Sequence, residues 1–355
     1  MTWWRGSLPP RGQLLYASGA FGFNVFHQTV TLWLVFFYAP PPDAGRATLV
    51  PLAVLGVLLG LGRIIEAFDD PAIGHWSDVT RSRWGRRLPF IVGGTPFLFL
   101  AFVLLWLPPV ATMPWAAVYA FVVVQVYYLC ATIVHQPYEA VLAEIARAPA
   151  ERVRVSSWKV TFGVAGAGIG LVGSGLLIEA LGFAGMAVVL GLVATAAVLA
   201  GALGIRRLPA APPHERPLAL RDGLRLTATN GQFLIYTCSE VLFYLGLNML
   251  TQLMPYFVTV ILGQPAALVS LFTGAFALAA LASLPLVGWL AARRTKAFTY
   301  RLAMALVAIL LPGLFFVGTL PGIDPTLQGL AYIALLGVPM SALFVLPNPI
   351  IADII

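Results

Sequence analysis

The chain has 355 residues, of which 60% are hydrophobic and only 10% charged, and a formal net charge of +7. A soluble globular domain of this length could not keep so much apolar surface from water, so that class is excluded. A nucleic-acid partner is not expected either, because the basic residues are confined to alternate loops between apolar runs.

Those runs predict ten membrane-spanning helices, at roughly 13–39, 48–73, 88–108, 114–143, 156–180, 183–205, 230–262, 265–291, 298–320 and 326–353. The N-terminal MTWWRGSLPPRG leads into a first span too long for a signal-peptide core, and is expected to stay attached. With that end in the cytoplasm, Arg5 and Arg11, Arg81 to Arg87, Arg147 to Arg154, Arg206 to Arg225 and Arg293 to Lys296 all fall inside. Among the outer loops only Arg46 is basic. The asymmetry predicts a multi-pass protein of a bacterial-type plasma membrane with a cytoplasmic N-terminus. Cys130 and Cys238 lie in apolar spans and form no CxxC, so they say little about compartment.

After the sixth span the pattern breaks into RRLPAAPPHERPLALRDGLRLTATN, rich in proline and arginine. This predicts a first lobe at 1–206, a cytoplasmic linker at 207–229 and a second lobe at 230–355. The lobes read as weak copies. PAIGHW ends span two and PLVGWL ends span eight; VLAEI ends span four and IIADI ends span ten. A parallel repeat with a site near the bilayer midplane is a transporter architecture. The expected fold is all-α, two six-helix lobes with the last two helices missing from this chain. A natural ten-helix chain is the alternative.

Span two poses the chemical question. GRIIEAFDDPAIG carries Arg63, Glu66, Asp69 and Asp70 inside an apolar run. Each unpaired charge there costs ~2.5–3.5 kcal/mol, so the group must pair, face a wet cavity or bind an ion. Arg63, Glu66 and Asp70 share one helix face, and Arg63 can neutralise one carboxylate. The remaining acid suits Na+, which takes hard oxygen ligands, or a proton. A purely structural salt bridge is the alternative. Elsewhere, Asn24 and Gln28 lie one turn apart on span one beside His27, and His135 and Glu139 one turn apart on span four. With Lys159 they read as a polar pocket. The competing readings are an interhelical hydrogen bond for His135, snorkelling for Glu139 and a basic anchor for Lys159. Glu240, beside Ser239, is an acid well inside the second lobe. GIGLVG at 168–173 fits a dinucleotide motif, but it lies inside a span with no strand before it, and close helix packing explains it. No HExxH, GxSxG or zinc-spaced set is present, so no enzyme is expected.

The run R-I-I-E-A-F-D-D-P-A-I-G followed by D-V-T-R-S-R-W-G-R-R-L-P resembles span two of the glycoside–pentoside–hexuronide:cation symporters, a branch of the major facilitator superfamily. QPYEAVLAEI with ERVRVSSWK, the span-one YASGAFGFN and the acidic end of span ten extend the likeness. The resemblance implies a major facilitator fold and symport of a small solute with a cation. It places Glu66 and Asp70 at the cation-binding acids, Asp69 where a member has an amide, and Thr132 at a nearby hydroxyl. It also implies that Asn24, His135 and Lys159 stand where sugar-binding members have acid, acid and arginine. Ala131 replaces an aromatic and Glu139 a tryptophan, so the coupling half is kept and the substrate pocket rewritten. In facilitators the loop after span two gates the cycle, which points to Gly74, Asp78, Arg81 and Arg83, with Arg63 counted alongside them.

The expected function is therefore Na+- or H+-coupled symport of a sugar or glycoside by a monomer embedded in lipid, with no cofactor beyond the coupling ion. A lysophospholipid or other amphiphile is the runner-up cargo, and a non-transporting receptor the third reading.

Overall fold

A computed structural model describes residues 9–42, 45–80, 82–109, 112–145, 149–206, 229, 231–319 and 321–346. Among these there is no β-strand, and ten helices carry the chain. They are α1 (Pro10–Tyr38), α2 (Leu52–Val79), α3 (Leu88–Leu104), α4 (Trp115–Ile145), α5 (Pro149–Gly168) and α6 (Ser174–Ile205) in the first half. The second half holds α7 (Gly231–Tyr256), α8 (Val269–Arg293), α9 (Lys296–Gly313) and α10 (Pro325–Val345). Seven helical stretches of the described residues are long and apolar enough to cross a membrane, one of them, Arg154–Ile205, containing a break at Gly182. This is a multi-pass membrane protein.

Each helix follows its apolar run, because lipid leaves the backbone no partner outside its own helix. The clearest difference from the sequence expectation is at the end of α2. α2 passes through Pro71 and continues to Val79, six residues past the predicted end. Hydropathy stops at the polar His75–Asp78 stretch, whereas the helical hydrogen-bond ladder does not. Between spans five and six the turn is made within α6 at Gly182, whose φ of +70° and ψ of 177° suit a residue without Cβ. The dinucleotide-like GIGLVG is a π-helical turn, Ile169–Gly173, inside the fifth span. The acidic end of span ten lies outside the described residues.

The chain divides into two compact units, Met1–Glu215 and Arg216–Ile355. In the first, α1 packs against α5 and α6, α3 against α4 and α6, and α2 against α4. Small residues permit these approaches: a Cβ on Gly166 would run into the backbone carbonyl of Phe21. Polar ties are few and buried, such as Trp33 Nε1 donating to Ser174 Oγ at 2.8 Å and Tyr38 Oη to the Leu105 carbonyl at 2.9 Å. In the second unit α8 packs on α10 and α9 beside it, around Phe243, Val287, Val307, Met340 and Leu343. Ser283 Oγ donates to Ser341 Oγ at 2.8 Å across that α8–α10 seam.

Candidate cation and solute site

The span-two charges meet α4. Arg63 Nη1 donates to Glu66 Oε2 at 2.7 Å, and Nη2 donates to the Tyr128 hydroxyl at 3.2 Å. The guanidinium also lies 4.6 Å from the centre of the Tyr128 ring. One turn further along α4, Thr132 Oγ1 donates to Asp70 Oδ1 at 2.9 Å. The pattern follows from helical spacing: Glu66 and Asp70 are four apart, as are Tyr128 and Thr132, so two turns of each helix face each other. Glu66 Oε1 is buried and has no hydrogen-bond partner among the described residues. A buried carboxylate oxygen left unpaired is costly, so this atom is the open acceptor of the cluster.

These groups border a cavity of about 440 Å³. α1 lines it with Asn24 and His27, α2 with Arg63, Glu66 and Asp70, and α4 with Thr132 and His135. Phe23, Phe26, Leu98 and Ala131 supply apolar wall. Asn24 Nδ2 donates to the Ala20 carbonyl at 2.9 Å, leaving its amide oxygen for other use. Of the residues singled out from sequence, the structure brings Asn24, Glu66, Asp70, Thr132 and His135 around this one space. Asp69 and Gln28 do not line it; Gln28 Cβ lies against Gly170.

Glu139 and Lys159 are joined to each other. Lys159 Nζ donates to Glu139 Oε1 at 2.8 Å and Oε2 at 2.7 Å, while His135 Nε2 lies 3.5 Å from Glu139 Oε1. The ammonium also sits 5.1 Å from the centre of the Tyr138 ring. Tyr138 is itself locked to α1: Tyr16 Oη donates to the Tyr138 carbonyl at 2.9 Å, and Tyr138 Oη donates to the Tyr16 carbonyl at 2.6 Å. Gly19 makes room for that ring, since a Cβ there would lie 2.6 Å from it.

At the loop after span two the partners differ from those expected. Asp78 Oδ1 accepts from Arg87 Nη2 at 3.1 Å, and Arg87 Nε lies 3.1 Å from Glu144 Oε1. Arg86 Nε donates to the same Glu144 oxygen at 3.0 Å. Arg83 instead stacks 5.5 Å from the Trp84 ring, and Arg81 lies outside the described residues. Arg87 wins because it stands at the N-terminal boundary of α3, fixed by that helix, whereas Arg83 is on the exposed turn. Around Gly74 there is open space. The side chain of Glu240 is not among those described.

Sequence reasoning passed over Tyr128, although it precedes Thr132 by four residues and so had to share its face. It also passed over Arg86, Arg87 and Glu144 as partners, although Glu144 stands in the VLAEI that matches IIADI in the repeat. Among the described residues no group of three or more His, Cys, Asp or Glu side chains is arranged to hold a metal ion. An alkali ion would have to draw on the carboxylates of Glu66 and Asp70 and on the Thr132 hydroxyl, all hard oxygens.

A family model described as MFS/sugar transport protein matches residues 15–355. The chain belongs to this family. Membership agrees with the likeness of the span-two and span-four motifs to the glycoside–pentoside–hexuronide:cation symporters. Among its relatives, the inner membrane symporter YicJ of Escherichia coli is 28% identical over 85% of this chain and 65% of its own. The isoprimeverose transporter of Lactiplantibacillus pentosus is 24% identical over 86% of this chain and 64% of its own. The sodium-dependent lysophosphatidylcholine symporter 1 of Xenopus tropicalis is 27% identical over 36% of this chain and 25% of its own. The chain thus spans less than two thirds of the length of these curated relatives.

Proposed function

We propose that the protein carries a small organic solute, a sugar or glycoside, by symport with Na+ or H+ across a bacterial-type plasma membrane. The observation that carries this reading is the junction of α2 and α4, where Asp70 and Thr132 close on one another beside the unpaired Glu66 oxygen. A cation entering there would be met by Glu66 Oε1, Asp70 Oδ1 and, once its proton turns away, Thr132 Oγ1. Arg63 holds the other Glu66 oxygen and so fixes which one faces the ion. Asn24 and His135 border the same cavity and offer amide and imidazole groups to solute hydroxyls. Glu139, tied to Lys159, orients His135 from behind. Because ion and solute share one cavity wall, each would tighten the other by the same factor. The relative named for isoprimeverose and the family description support the sugar assignment.

A second cargo, a lysophospholipid-like amphiphile, is favoured by the apolar wall of Phe23, Phe26, Leu98 and Ala131 and by the lysophosphatidylcholine symporter among the relatives. The deciding experiment reconstitutes the full-length protein and follows solute uptake driven by a Na+ or proton gradient. Wild type concentrates a sugar, and Asp70→Asn and Glu66→Gln equilibrate it without concentrating it. Accumulation by both variants sinks the cation assignment. Uptake blocked by lysolipid and indifferent to sugars moves the cargo to the amphiphile.

A further inference from the structure

Gln125 stands on α4 three residues before Tyr128 and takes no part in the site described above. Its amide nitrogen is buried and has no hydrogen-bond partner among the described residues. The amide lies in a notch left by Gly62, a buried glycine of α2. A Cβ on Gly62 would run into Gln125 Nε2 and come within 3.1 Å of its Cδ.

Glu66 is one turn further along the same helix, and Cβ positions so spaced lie ~5–6 Å apart on one face. Side chains of a helix lean back over the turn before them, which for Glu66 is the turn of the notch. Its bond to Arg63, three residues earlier, agrees with that lean. Arg63 holds Oε2, so Oε1 is the oxygen left open. The seam between α2 and α4 thus carries a buried donor without an acceptor and, about a turn away, a buried acceptor without a donor. Each is costly by itself, and each is the natural remedy for the other.

We propose that Gln125 is a stopper on the cation site. Without an ion its amide turns out of the Gly62 notch and donates to Glu66 Oε1. An arriving cation takes that oxygen, and the amide returns to the notch. The inference rests on the reading of Glu66 and Asp70 as the cation site. Oε1 is closed in on its other sides, so it takes one partner at a time. The amide hydrogen also brings partial positive charge to the spot the ion would fill. Gln125 therefore sets the ion affinity without being a ligand.

Thermal unfolding of the full-length protein in detergent, titrated with sodium against choline at constant ionic strength, reads the competition. Gln125→Leu keeps most of the bulk and removes the amide, so the apparent Na+ affinity should tighten about ten-fold, ~1.4 kcal/mol. Gly62→Ala fills the notch and forces the amide out, so it should weaken the affinity, and that loss should vanish when Gln125→Leu is added. An affinity unchanged or weakened by Gln125→Leu overturns the proposal, as does a Gly62→Ala effect that persists without the amide. Choline alone gives a reading that needs no bound sodium. There Gln125→Leu should lower the melting temperature of wild type and leave that of Glu66→Met unchanged, and equal losses in both backgrounds overturn the stopper. A wild type as indifferent to sodium as Asp70→Asn sinks the sodium reading instead, and the choline comparison then decides the Gln125–Glu66 bond by itself.

Discussion

Lys159 and Glu139 form the ion pair whose removal has the most calculable effect. Both carboxylate oxygens accept from Nζ, at 2.8 and 2.7 Å, and the lysine side chain is only 11% exposed against 42% for the glutamate. Breaking a fully buried pair costs ~3–5 kcal/mol, chiefly through the charge left stranded. Exposure of Glu139 lowers this, because a stranded carboxylate there is partly screened and His135 remains 3.5 Å away. Lys159→Met is therefore expected to cost ~1–2 kcal/mol. Glu139→Met strands the more buried partner and should cost more, ~2–3 kcal/mol. The double variant removes both charges together, and should recover ~1–2 kcal/mol relative to the sum of the singles. Unfolding in mixed SDS–detergent micelles, run on wild type and the three variants, closes the cycle. Additive losses would refute the reasoning, and so would a larger loss from Lys159→Met than from Glu139→Met.

Three further outcomes follow from other contacts. Thr132→Val removes the hydroxyl oxygen that the proposed cation site would use as a ligand while keeping shape, so the ion affinity read from Na+-dependent thermal stabilisation should fall about ten-fold, ~1.4 kcal/mol, while Thr132→Ser keeps it. Gly166→Ala puts a methyl against the Phe21 carbonyl, which cannot swing aside, and should lower stability in the same micelle assay by ~1–3 kcal/mol; Gly168→Ala, where the added Cβ meets nothing, should be neutral or stabilising. Asp324 caps α10 by accepting from the amides of Thr326 at 2.8 Å and Leu327 at 3.2 Å, and the Leu327 amide first, then Thr326, holds its carboxyl below the ordinary 3.8. A lowered folded value means stability present above pH 3.8 and lost as pH falls through the depressed value, so Asp324→Asn should flatten the acid limb of the melting-temperature profile.

The spans were legible because lipid makes hydropathy and helix nearly the same thing. Where they parted, at His75–Asp78, the sequence reading ended α2 early. The facing of α2 and α4 was half legible: the spacing of Arg63, Glu66 and Asp70 gave one face, but nothing in a single sequence says that Tyr128 stands opposite. Glu139 and Lys159 were each seen as pocket residues, and their mutual pairing was not, because it depends on how α5 returns beside α4. Arg83 and Arg87 are equivalent in charge and motif position. Only the start of α3 distinguishes them, by fixing one and leaving the other on a turn.

The reciprocal Tyr16–Tyr138 bonds set a limit on how the first unit can move. Each hydroxyl grips the main chain of the opposite helix, so sliding α4 along α1 by one helical turn, ~5.4 Å, would break both at once. Among the described residues no such main-chain pair ties α2, which packs on α4 and is hydrogen-bonded to it through side-chain tips at Arg63–Tyr128 and Asp70–Thr132. α1 and α4 are therefore joined through main chain, and the side-chain ties between α2 and α4 are the latch that can open without moving either backbone. A cation lodged between Asp70 and Thr132 would sit at the latch.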